Sequence, residues 1–81
     1  MTQVDNRHTK ALTTFPDRLR KLVDTETEEG SFAEFCRRIS ADYSGAHKWF
    51  DGAFPSYEML VRIRLAFGTD INWLLTGHRS R

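Results

Sequence analysis

Four side chains with hydrogen-bonding tips stand close together at Tyr43, Ser44, His47 and Lys48. On a helix this spacing puts them on one face, one turn above the other. A phenol, a hydroxyl, an imidazole and an ammonium in that order do not make an acid–base pair or a nucleophile with its base. They make a surface that donates and accepts hydrogen bonds, and such a surface can read base edges in the DNA major groove. Lys48 can donate to guanine O6 and N7, and Ser44 to several edges. Tyr43 can bond through its hydroxyl or lie on a thymine methyl, and His47 can donate or accept. Gly45, between them, lowers helix propensity by about 1 kcal/mol relative to alanine; the compensating benefit is expected to be close approach of the backbone to DNA. With one lysine and no Asn, Gln or Arg, the set predicts that phosphate positioning and DNA shape carry part of the specificity. The competing reading is a solvated helix face.

The elements that would hold this face run from Ser31 to Gly52. Phe32, Phe35, Cys36 and Ile39 follow the stripe of an amphipathic helix, and Ser31 with Glu34 forms a capping box at its start. Ser40-Ala41 leaves room only for a turn, and Asp42 is a good N-cap for a second helix. That helix is expected to bury Ala46, Trp49 and Phe50 and to stop at Asp51-Gly52. Two short helices joined by a tight turn, one face apolar and the other polar, is the layout of a helix-turn-helix reader of the major groove. Arg37 and Arg38 fall on the outer side of the first helix, where they either meet the DNA backbone or are solvated.

The motifs also support a resemblance. The segment resembles the helix-turn-helix of the lambda-repressor/Cro family. The small Cys36 sits mid-way along the first helix, and Ala46 and Trp49 occupy the apolar slots of the second. Y-S-G-A-H-K-W-F-D-G is similar to the family's recognition helix, and P-S-Y-E-M-L-V-R-I-R-L-A-F-G-T-D-I-N-W-L-L-T-G to its last two helices. The likeness covers Phe15 to Gly77. Two positions depart from it: Ser40 stands where the turn usually has glycine, and Phe32 replaces a polar residue, often Gln, that touches phosphate. The resemblance implies an all-α, compact five-helix domain whose loop at Ala53 and Phe54 offers main-chain N–H groups to phosphate. It implies double-stranded DNA as partner, and a phage-type repressor occupying a palindromic operator as a homodimer, with recognition helices about 34 Å apart. The helix from Asp70 to Leu75 is the expected dimer contact. An antitoxin or adaptor that uses the same fold to hold a protein partner is the alternative.

Composition sets the outer bounds. At 81 residues the chain is one small domain. The net charge of +1 hides an uneven distribution: apart from Asp24, Glu26, Glu28 and Glu29, 12 basic residues face 7 acidic ones, a balance of +5. The remainder can present a moderately basic face. No apolar run is long enough for a membrane span or a signal peptide, which predicts a cytoplasmic protein. The lone Cys36 lies on the apolar stripe and reads as a small buried hydrophobe. His8, His47 and His78 are far apart and no paired carboxylates mark a pocket, so neither an enzyme, a metal site nor a cofactor is expected.

Along the chain, residues 1–13 read as a flexible arm, with Arg7, His8 and Lys10 available to a DNA groove. Residues 14–77 read as the domain and 78–81 as a basic tail. Thr14 and Asp17 form a second capping box with Pro16 in the first turn, so a helix is predicted to open there. Phe15, Leu19, Leu22 and Val23 make its core stripe, and Arg18, Arg20 and Lys21 are placed in solvent. Ser56 caps a fourth helix with Met59, Leu60, Ile63, Ala66 and Phe67 inward and Glu58, Arg62 and Arg64 in water. Gly68 closes it. Asp70 caps the fifth, which packs Ile71, Leu74 and Leu75, while Trp73 either completes the core or meets a second subunit.

Overall fold

The structure, a computed structural model, describes residues 6–79. Among them five α-helices follow one another: α1 (Asn6–Glu26), α2 (Phe32–Arg38), α3 (Tyr43–His47), α4 (Tyr57–Phe67) and α5 (Ile71–Thr76). Short 3₁₀ turns lie at Glu28–Gly30 and Lys48–Phe50, and no strand occurs among the described residues. The all-α, five-helix expectation therefore matches. The four caps from Ser31 onward are also present. The side chains of Ser31, Asp42, Ser56 and Asp70 accept from the N–H groups of Glu34, Gly45, Met59 and Trp73 at 3.1, 2.8, 3.2 and 3.2 Å. Gly68 and Gly77 end α4 and α5 in the left-handed conformation, with φ of 67° and 86°.

The first helix differs from expectation. It starts at Asn6, so residues 6–13 are helical and do not belong to an arm. Residues 1–5 of the expected arm lie outside the described residues, as do 80–81 of the basic tail. Thr14 is not a cap. Its hydroxyl donates back to the Lys10 carbonyl at 2.6 Å, as the Thr13 hydroxyl does at 3.2 Å. This is how a threonine inside a helix satisfies itself, so the same T-x-x-D spelling serves a helix interior as well as a start. Pro16 consequently lies within α1, where it supplies no N–H for the Leu12 carbonyl.

The expected apolar stripes meet in one core of Phe15, Leu19, Leu22, Val23, Phe32, Phe35, Cys36, Ile39, Ala46, Trp49, Ile63 and Leu74. Around its edge Met59, Leu60, Ala66, Phe67, Ile71, Trp73 and Leu75 are partly buried. Helix α1 packs along α5 and touches α2 and the Lys48–Phe50 turn, while α2 packs against α3. Helix α4 is locked to α2 by Phe67 stacked on Phe35, ring centroids 4.8 Å apart and planes 5° from parallel.

Arg18 is not in solvent. Its Nε donates to the Leu74 carbonyl at 2.8 Å, and Nη2 donates to the carbonyls of Leu75 and Ala11 at 3.0 and 2.8 Å. Nη1 donates to the Thr14 hydroxyl. One guanidinium thus fastens the end of α5, whose last carbonyls have no helical partner, to the middle of α1.

Cys36 is a buried hydrophobe as expected. Burial, helped by the nearby Asp42 carboxylate, pushes its thiol up to about 11. The stability gained by keeping it neutral is whole below the unfolded thiol's ordinary range and is lost as pH rises towards 11. At pH 8 less than about one part in a hundred is thiolate. Labelling by a disulfide reagent is therefore expected to follow the unfolding rate, and immediate labelling of the native protein would contradict this packing.

Candidate functional site

The polar face of α3 forms as the sequence predicts. Tyr43, Ser44, Gly45, His47 and Lys48 are exposed, while Ala46 and Trp49 beneath them are 3% and 7% exposed. Lys48 belongs to the 3₁₀ turn that extends α3. The helix is short because Asp42 starts it and the tightened last turn ends it, with the Lys48 carbonyl accepting from the N–H groups of Asp51 and Ala53 at 2.9 and 3.1 Å. Gly45 has an internal reason as well as any external one. A Cβ there would come to 3.3 Å of the Asp42 Oδ2 that caps the helix.

Phe32 supports α3 from beneath. It is 6% exposed and sits amid five rings: Phe50 at 4.8 Å, Phe35 at 5.7 Å, Tyr43 at 5.8 Å, His47 at 6.1 Å and Trp49 at 6.4 Å. Phe32 thus glues the start of α2 to α3. Tyr43 and His47 also lean on each other, centroids 5.6 Å apart. Both rings therefore pack against this cluster while both residues remain exposed. Arg20, expected in solvent, lies over the Phe50 ring at 4.8 Å and pairs with Asp24 at 3.8 Å, tying this cluster to α1.

The turn between α2 and α3 carries a strained residue and a clamp. Ser40 has φ of 56°, where a side chain costs about 1–2 kcal/mol and glycine nothing. Arg62, expected in water, reaches from α4 to this turn. Its Nη1 donates to the carbonyls of Ile39 and Ser40 at 3.2 and 3.0 Å, and its Nη2 pairs with Glu58. The i,i+4 pairing of Glu58 and Arg62 is legible in the sequence; that it is aimed at the turn is not.

The backbone-contact candidates separate. Arg37 is exposed, and its guanidinium makes no hydrogen bond or ion pair with another described residue. Arg38 is engaged: it donates to the Glu26 carbonyl at 3.1 Å and its guanidinium lies 4.4 Å from the Phe67 ring centre. The Ala53 N–H is spent on the Lys48 carbonyl and is not free for phosphate. Phe54 packs its ring against Phe15 at 5.2 Å and remains 46% exposed. No group of His, Cys, Asp and Glu able to hold a metal occurs among the described residues, nor a helix long and apolar enough to cross a membrane. Comparison of the chain with protein-family models, curated proteins and solved structures gives no match.

Proposed function

We propose that the chain is a sequence-specific DNA-binding regulator of the lambda-repressor/Cro type, which represses by occupying a two-fold symmetric operator as a homodimer. Helix α3 lies in the major groove, with Tyr43 and Ser44 nearest the bases and His47 and Lys48 one turn behind. Arg37 meets the phosphate backbone. Such a protein works in the cytoplasm, on the nucleoid. The observation that carries the reading is the division of α3: four exposed polar tips on one side, and Ala46 and Trp49 buried on the other. A helix whose polar side is rigidly supported from behind is suited to insertion into a groove.

Selection of bound sites from a random DNA pool, followed by gel shifts across a salt series, tests it. A preferred sequence should emerge, and affinity for it should fall steeply with salt. Ser44→Ala with Lys48→Ala should abolish the preference while leaving the thermal midpoint nearly unchanged, since both side chains are exposed. A preference that survives the double substitution would place the reading surface elsewhere. Failure to select any sequence would defeat the reading itself.

A further inference from the structure

We propose that the cavity between α1 and the end of α5 binds a phosphate group carried by a small molecule. It has a volume of about 300 Å³ and is lined by Lys10, Thr14, Arg18, Thr76, Gly77 and His78. Two cations and an imidazole border it, and no carboxylate does among the described residues. The Arg18 guanidinium, partly buried here, lacks a counter-ion. Its hydrogen bonds go to three carbonyls and the Thr14 hydroxyl, all of them neutral. Asp17 acts on it through space without forming an ion pair. A charge withdrawn from water is normally balanced by an opposite one, and a cleft walled by one sign of charge concentrates counter-ions. Lys10 adds to the field, since its ammonium makes no hydrogen bond or ion pair with another described residue.

The donors that remain select the class of anion. The fork of Arg18 is spent on the carbonyls of Ala11, Leu74 and Leu75, so it is closed to the side-by-side pairing that suits a carboxylate. One N–H on Nη1 is left. Nη1 lies 3.6 Å from the point that a Cβ on Gly77 would occupy, so the missing side chain leaves it room. The same guanidinium covers the last carbonyls of α5, which would otherwise repel an anion. His78 is fixed through its main chain: its N–H donates to the Thr76 hydroxyl at 3.1 Å, and its carbonyl accepts from the Asn72 side-chain amide at 2.9 Å. Single donors from three separate side chains suit a tetrahedral group with several oxygens, and lysine binds phosphate as a point charge. The cavity exceeds a phosphate in size and leaves space for a short organic remainder. It is also set apart from the DNA-reading face. Arg18 and Arg20 are about 200° apart around α1, and Arg20 lies over the Phe50 ring of the cluster beneath α3. The cavity and α3 therefore lie on opposite flanks of α1.

A titration without DNA tests this, so its outcome is independent of the operator reading. The full chain, in phosphate-free buffer at constant ionic strength, is titrated with inorganic phosphate and with glycerol 3-phosphate while amide NMR shifts are followed. Both should saturate one site with a Kd of about 1 mM or tighter, with shifts centred on Thr14, Gly77 and His78. Lys10→Gln and His78→Gln should each weaken binding by about five-fold or more at an unchanged thermal midpoint, because both side chains are exposed. Lys21→Gln removes a cation from α1 outside the cavity and should leave binding unchanged. Succinate, with two carboxylates, should bind about ten-fold more weakly than phosphate. Arg18 is kept throughout, since it holds α5. Failure to saturate, unaltered binding in the Lys10 and His78 variants, equal weakening by Lys21→Gln, or succinate binding as tightly as phosphate would overturn the proposal. So would displacement of glycerol 3-phosphate by duplex DNA, which would make the bound group a backbone phosphate.

Discussion

Phe32→Ala is expected to cost about 3–5 kcal/mol, the range for removing a buried aromatic ring. For a chain of this size that is a large share of a total stability on the order of 4–12 kcal/mol. The thermal midpoint should fall by roughly 15–30 °C. The loss is large because the ring is shared: Phe50, Phe35, Tyr43, His47 and Trp49 all have their centroids within 6.4 Å of it. Phe32→Gln should not spare stability either, since its amide would enter a site 6% exposed. Both variants should also loosen Tyr43 and His47, because each loses the wall behind it. Thermal and urea unfolding followed by circular dichroism measure the first effect. A cost below about 1 kcal/mol would show that α3 is held by something other than this cluster.

Arg18→Met should be the second most damaging change, at about 2–4 kcal/mol, although the position spells as a solvated arginine. The substitution keeps an unbranched apolar side chain and removes the donors. The carbonyls of Leu74, Leu75 and Ala11 then lose their partner, and charged hydrogen bonds of this kind contribute about 1.5–3 kcal/mol each before water replaces part of them. Desolvation holds this guanidinium below the ordinary arginine range while neighbouring Asp17 offsets part of the effect. The group remains charged throughout the working pH range. Arg18→Lys should fall between the two, since an ammonium carries the charge but cannot fork between carbonyls. Hydrogen exchange would locate the damage: α5 should lose protection ahead of α2 and α3. Uniform loss across the chain would mean that Arg18 does not hold α5 in particular.

These two positions show which kinds of information a sequence carries. Periodicity and caps are local, and they were legible: the stripes of α2 through α5, the caps at Ser31, Asp42, Ser56 and Asp70, and the exposed polar face of α3 all follow from residues within one or two turns of each other. Thr14 was misleading because its local pattern is degenerate. A hydroxyl three residues before an acid can cap a helix, or it can bond back to the carbonyl four residues earlier, and only the preceding chain decides which.

What the sequence by itself determined, then, is the helix count after α1, the apolar side of each helix, and the set of side chains that α3 turns outward. Tertiary structure alone decided the fate of the arginines and of Phe32. Arg18 meets carbonyls 56 and 57 residues away, and Arg62 meets carbonyls 22 and 23 residues away. A long flexible side chain looks the same in sequence whether water or a distant backbone receives its hydrogen bonds. Only folding, which brings those unpaired carbonyls within reach, makes the difference.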